Sequence, residues 1–131
     1  MDVKELICKA LKAREKAYVP YSGFKVGAAL LSKSGNIYTG CNIESVSFTP
    51  TICAERTAIS KAVSEGDREI EAIAIVGNLQ QYTFPCGVCR QVIREFGKDA
   101  TIIIAKNEDE YKVFKLEDLL PHSFGPEELD N

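Results

Sequence analysis

Cys53-Ala54-Glu55 and Pro85-Cys86-Gly87-Val88-Cys89 constrain this chain more than any other feature. Thiols so far apart in sequence form one site only in a fold that brings two segments together. Three thiolates and a carboxylate suit a catalytic zinc centre. A structural zinc is normally closed by four protein ligands, whereas a hydrolytic one keeps its fourth position for water. Glu55, two residues from Cys53, can reach a water at that position without binding the metal. The pattern predicts Cys53 at the start of one helix and Cys86 and Cys89 in the first turn of another. There the macrodipole and free N–H groups favour thiolate over thiol. Two helices packed on one sheet can bring those termini together.

The rest of the chain supplies such a sheet. Val3, Leu6, Ile7, Ala10, Leu11 and Ala17 recur at helical spacing, predicting a first amphipathic helix that ends before Pro20. Pro20-Tyr21-Ser22-Gly23 reads as a turn. Phe24, Val26, Ala28 and Leu30 alternate along a strand, residues 32–36 form a hairpin turn around Gly35, and Ile37, Thr39 and Cys41 return antiparallel to the first. Residues 42–52 are polar, carry Pro50 and read as a loop, with Thr51 placed to cap a helix over about 53–65. Residues 70–76 and 101–105 are nearly continuous apolar runs, as in strands buried on both faces. The helix between them, 86–96, makes a right-handed crossover between parallel strands. Residues 111–115 are then a fifth strand and 116–120 a short helix before Pro121.

At 131 residues the chain fits one catalytic domain, 1–131, with about 68% of its unfolded surface buried on folding. The net charge of -3 lacks the basic surplus of a protein that tracks a phosphate backbone, so a neutral small molecule is the better partner and nucleic acid is not expected. The N-terminus is polar and begins a helical pattern, and no apolar run approaches the ~18 residues of a membrane span. A cytoplasmic protein is expected. Five cysteines make an odd count, and three of them stand in a ligand pattern, which argues for reduced thiols over a disulfide framework.

Zinc lowers the pKa of a bound water to about 7, and Glu55 can move the protons that hydrolysis requires, a role worth roughly 100- to 10,000-fold in rate. Three thiolates leave the site negatively charged and the metal less electrophilic. Arg56, next to Glu55, is the compensating charge, expected to donate hydrogen bonds to the ligand sulfurs. The plainer alternative is an Arg on a solvated helix face.

At these residues the chain resembles the small, tetramer-forming cytidine deaminases, over nearly its whole length. The resemblance includes Pro20-Tyr21-Ser22 with Phe24, Val26-Gly27-Ala28-Ala29-Leu30, Gly40-Cys41-Asn42-Ile43-Glu44, both cysteine motifs through Ala58 and Val92, and Leu119-Leu120-Pro121 with Phe124-Gly125-Pro126. It implies a three-layer α/β/α fold with a mixed five-stranded sheet. It further implies hydrolytic deamination of cytidine and 2'-deoxycytidine at C4 with release of ammonia, in pyrimidine salvage. By the same resemblance Cys53, Cys86 and Cys89 hold one Zn2+ per subunit, and Glu55 moves protons from water to N3 and then to the leaving amine. Asn42 and Glu44 resemble the pair that holds the ribose 3'-hydroxyl, and the Ala54 backbone N–H the group that contacts the pyrimidine carbonyl. Phe24 resembles the aromatic wall beside the nucleoside, and Phe124 the ring contributed by a neighbouring subunit of a homotetramer. Phe48 stands where the family often has Tyr, Ile52 where it has a small or polar residue, and Phe84 where Ser is frequent.

Several plainer alternatives accompany this reading. A lone Cys-X-X-Cys also serves redox pairs and structural zinc. Asn42 and Glu44 by themselves are ordinary loop residues, and Phe124 could pack the C-terminal tail onto its own subunit. Cys8 and Cys41 read as small buried hydrophobes, and His122, the only histidine, as a tail residue. Among functions, a zinc deaminase of another aminopyrimidine such as blasticidin S is the nearest competitor. A polynucleotide deaminase would need a strand-binding groove that the acidic balance disfavours. A zinc-binding interaction module would have no use for Glu55.

Overall fold

The computed structural model describes residues 1–129. Helix α1, Val3–Arg14, begins at Asp2, whose carboxylate accepts the Glu5 N–H at 3.0 Å, and carries Lys12 and Arg14 in its last turn. Both ends therefore complement the helix dipole. The strands are β1 (Gly27–Ser32), β2 (Ile37–Cys41), β3 (Ile70–Val76), β4 (Thr101–Ala105) and β5 (Tyr111–Lys115). Helix α2 (Ala54–Ser64) precedes β3, α3 (Gly87–Phe96) lies between β3 and β4, and α4 (Leu116–Leu119) follows β5.

One sheet runs in the order β2-β1-β3-β4-β5. Only β3 and β4 are parallel, with Ile73 opposite Ile102, and α3 is their connection. The other neighbours are antiparallel. Leu6, Ile7 and Ala10 of α1 bury one face against Ala29, Ala74, Val76 and Ile103. Ala58, Ile59 and Ala62 of α2, with Ile93 of α3 and Leu116 of α4, bury the other against Leu30, Ile73, Ile75, Ile102 and Ile104. The mixed three-layer sandwich expected from sequence is thus the observed fold. Each fully buried isoleucine contributes about 1.5–3 kcal/mol relative to exposure, so the central strands anchor everything attached to them.

For the site, the decisive consequence is that α2 and α3 share one face. Gly40 lets α2 come close, because a Cβ there would lie 2.5 Å from the Ala54 carbonyl oxygen. Thr57 Oγ1 fastens the same turn by donating to the Cys41 carbonyl at 3.0 Å.

Three local expectations are corrected. The first strand begins at Gly27, not Phe24, because Asn42 substitutes for a ladder at residues 24–26. Its Oδ1 accepts the Val26 N–H at 2.9 Å and its Nδ2 donates to the Phe24 carbonyl at 2.8 Å. Thr51 does not cap α2. The N-cap is Cys53, whose side chain makes no capping bond, while Thr51 Oγ1 accepts the Ser45 N–H at 3.0 Å. Helix α1 also stops sooner than Ala17, which is joined to Arg14 by a tighter backbone bond of 3.1 Å. The 42–52 loop is closed by reciprocal Ile43 and Ile52 backbone bonds of 3.0 and 2.9 Å.

Candidate metal centre and cleft

Cys53 is the N-cap of α2, Cys86 the N-cap of α3, and Cys89 lies in the first turn of α3. Neither N-cap side chain is spent on its own helix. The three Sγ atoms lie within 4.8 Å of one another. Sulfurs around a tetrahedral zinc, each about 2.3 Å from the metal, stand closer than that by a small adjustment of side-chain torsions. Burial is graded across the cluster, with Cys89 buried, Cys53 half-buried and Cys86 exposed, which leaves one side open.

The thiols share charge. A hydrogen bond from Cys89, with help from Arg56, pulls the Cys53 pKa down, despite burial pushing the other way. Cys89 is pushed up, first by its hydrogen bond to Cys53, then by burial and the Glu55 charge. One thiolate stabilised by a neighbouring thiol is what a metal would replace by binding to both sulfurs. Arg56 Nη2 donates to Cys53 Sγ at 3.2 Å. Its Nε is the one buried side-chain polar atom without a partner among the described residues. The guanidinium thus keeps a buried N–H unmet beside a sulfur it already donates to. Donor chemistry, spacing and this spare N–H all fit a soft divalent metal.

Glu55 is buried, at 4% exposure, in the first turn of α2. Burial raises its pKa, and the charge of Cys53 adds to the effect. It faces a cleft of about 310 Å3 that Cys53, Cys86 and Ala54 also line. Phe24, Asn42 and Glu44 line the same cleft. One connected space therefore joins the thiols, the buried carboxylate and these three side chains. Cys8 and Cys41 are half-buried outside the thiol group, and His122 is exposed.

Glu44 is fixed before any ligand arrives. Its Oε1 accepts the N–H groups of Tyr21 and Ser22 at 3.0 and 3.1 Å, and its Oε2 accepts the Ser22 hydroxyl. The Ser22 hydroxyl above all holds this carboxyl below its usual range. Sequence reasoning gave no role to Ser22 beyond its turn or to Thr83, both of which line the cleft. Phe84 forms a further wall and packs edge-on to Phe114 of β5, with ring centroids 5.5 Å apart. Phe124 is absent from the cleft of its own chain and is 56% exposed.

A mixed sheet with thiols converging from two helix N-termini beside a buried glutamate defines an α/β protein with a metal-site cleft. The chain belongs to the cytidine and deoxycytidylate deaminase family, whose zinc-binding region model matches residues 1–105. It is 48% identical over 130 residues to a cytidine deaminase of Sporosarcina psychrophila, covering 98% of this chain and 96% of the relative. A cytidine deaminase of Halalkalibacterium halodurans is 45% identical over 132 residues, with all of both chains covered. The crystal structure of cytidine deaminase from Burkholderia pseudomallei superposes with a TM-score of 0.88 at 44% identity, covering 95% of this chain and 100% of that one.

Proposed function

We propose that this protein, acting as one catalytic unit over residues 1–131, deaminates cytidine and 2'-deoxycytidine hydrolytically, giving the uridine forms and ammonia in pyrimidine salvage. The observation that carries this reading is the buried Glu55 beside the thiol cluster at the wall of a nucleoside-sized cleft, in a chain of this family. Cys53, Cys86 and Cys89 would hold one Zn2+. When bound, the metal supplies a Lewis acid that makes a water nucleophilic near neutral pH. Arg56 offsets the charge of the sulfurs through its bond to Cys53.

Glu55 takes a proton from the attacking water and delivers it to pyrimidine N3. A second transfer to the exocyclic nitrogen lets ammonia leave as the C4–N bond breaks. A carboxyl whose pKa is raised by burial is matched to giving and taking protons near neutrality. The Ala54 N–H holds the pyrimidine carbonyl, Phe24 walls the base, and Asn42 and Glu44 receive the ribose 3'-hydroxyl. Glu44 is prepared for that contact, since three donors of the 21–22 turn already fix its orientation.

Phe124 would complete the cleft of a neighbouring copy in a homotetramer. The exposed Tyr21, Val46, Phe48, Val88 and Phe124 supply apolar surface for such an assembly. Unpaired thiols at a metal-ligand spacing suit the reducing cytoplasm.

The test is the ultraviolet absorbance change of cytidine, deoxycytidine and blasticidin S with purified protein, run beside Glu55→Gln at measured zinc content. Turnover of the two nucleosides by the parent alone, at equal zinc, is expected. Turnover of blasticidin S only, or none by a zinc-loaded parent, would overturn the reading.

A further inference from the structure

Helix α3 carries Cys89 in its first turn and three side chains that grip α4 and the segment after it. Arg90 Nε donates to the Pro85 carbonyl and its Nη1 to the Leu119 carbonyl, each at 2.7 Å. Gln91 Nε2 donates to the Phe124 carbonyl at 2.7 Å. Arg94, only 5% exposed, makes the strongest grip. Its Nε donates to Ser123 Oγ at 2.7 Å, its Nη1 to Glu127 Oε2 at 3.2 Å, and its Nη2 to the other Glu127 carboxylate oxygen.

A guanidinium this buried is retained only where its donors are met, and here a forked carboxylate and a hydroxyl meet them. Gly125 lies directly on it. A Cβ at Gly125 would stand 2.7 Å from Arg94 Nη2 and closer still to its Cζ and Nη1. With Ser123 on one side and Glu127 on the other, the guanidinium has nowhere to yield. Gly125 N–H also donates to Glu128 Oε2 at 2.9 Å. The chain is therefore clamped at 123 and again at 125–128, and between the clamps Phe124 stands 56% exposed. A large apolar ring on a fixed backbone outside its own cleft is prepared for contact with another molecule, since its ordering cost is met in folding.

We propose that Arg94 is a positioning residue for nucleoside binding: it fixes the 123–128 segment so that the Phe124 ring projects into the cleft of a second copy of this chain. This rests on the reading above that Phe124 completes a neighbouring site. Arg94 itself touches no substrate. Its effect appears in substrate affinity and passes entirely through Phe124.

Steady-state kinetics of cytidine turnover by the parent, Phe124→Ala, Arg94→Ala and the double variant decide this, with zinc content and assembly mass measured on each. Phe124→Ala is expected to raise KM roughly 5- to 150-fold, the range for a lost base-stacking ring. Arg94→Ala should raise KM in the same direction with kcat, zinc and mass near parental, and should add nothing in the Phe124→Ala background. Parental KM in Arg94→Ala beside a raised KM in Phe124→Ala would overturn the positioning role alone. Parental KM in Phe124→Ala would remove the role of the ring and the proposal with it. Multiplying effects in the double variant would overturn the proposal by placing Arg94 on a separate route. Should Arg94→Ala not fold, Glu127→Gln, altered at the half-exposed end of the clamp, takes its place with the same criteria.

Discussion

Asn42 holds Phe24 in place through its side-chain amide, which donates to the Phe24 carbonyl at 2.8 Å and accepts from the next-but-one N–H, that of Val26, at 2.9 Å. Both ends of the amide are thus engaged with the segment that lines the cleft. The residue expected to bind ribose also builds the aromatic wall beside it. These two roles belong together, because an amide held from both ends presents its remaining lone pair in one direction.

Asn42→Ala should accordingly do two things at once. It removes two hydrogen bonds at a half-buried position, costing about 1–2 kcal/mol in stability. It also frees Phe24, so KM for cytidine should rise more than in Phe24→Ala alone. Thermal unfolding and steady-state kinetics on both variants check this. A variant with lowered Tm but unchanged KM would leave Asn42 as a scaffold residue only.

Arg56→Gln removes the guanidinium that donates to Cys53 Sγ. The sulfurs would then carry their negative charge without support. A loss of roughly 10- to 100-fold in zinc affinity or turnover is expected. Competition with a chromophoric chelator reads the first and cytidine turnover the second. Full activity with full zinc retention would return Arg56 to an ordinary helix-face residue.

The order of elements was legible from the sequence because it rests on strong periodic signals. The apolar runs of β3 and β4, the hairpin at Gly35 and the amphipathic face of α1 need only neighbours in sequence to be recognised. Cys53 and Cys86 were legible as helix-terminal residues for the same reason. What escaped depends on contacts distant in sequence. Asn42 displacing the strand from residues 24–26 has no periodic signature, since an amide in a loop looks the same whether or not it bonds backbone elsewhere. Arg94 reads as a charge on a helix face until residues 123–127 fold over it. The resemblance supplied roles for Phe24, Glu44 and Phe124, but not the turn donors, the amide and the clamp that hold them.

If Phe124 of one chain serves the cleft of another, chains defective in different parts should rescue each other. Co-expressed Glu55→Gln and Phe124→Ala would assemble sites in which an intact Glu55 faces an intact Phe124 from the neighbour. At cytidine well below the parental KM, the mixed assembly should exceed the weighted sum of the two separate variants. Purification through two different tags ensures that mixed assemblies are measured. Activity equal to that sum would place Phe124 in service of its own chain or of none.

The clamp also predicts how stability depends on pH. Arg94 holds the Glu127 carboxyl well below its usual range, at about 2, mainly through their hydrogen bond. A carboxyl with a depressed folded-state pKa contributes stability that is complete above its unfolded value, about 4.3, and is lost as pH falls toward the folded value. Glu127→Gln should therefore melt below the parent at pH 6–7, and the gap should close steadily as pH falls from about 4.3 toward about 2. The half-exposed carboxylate is screened by solvent, so the gap should also shrink in high salt. Melting curves of both proteins over that pH series, at low and high ionic strength, provide the check. A gap that stayed constant through the acid range would mean that Glu127 supports the tail by packing alone, without the ion pair to Arg94.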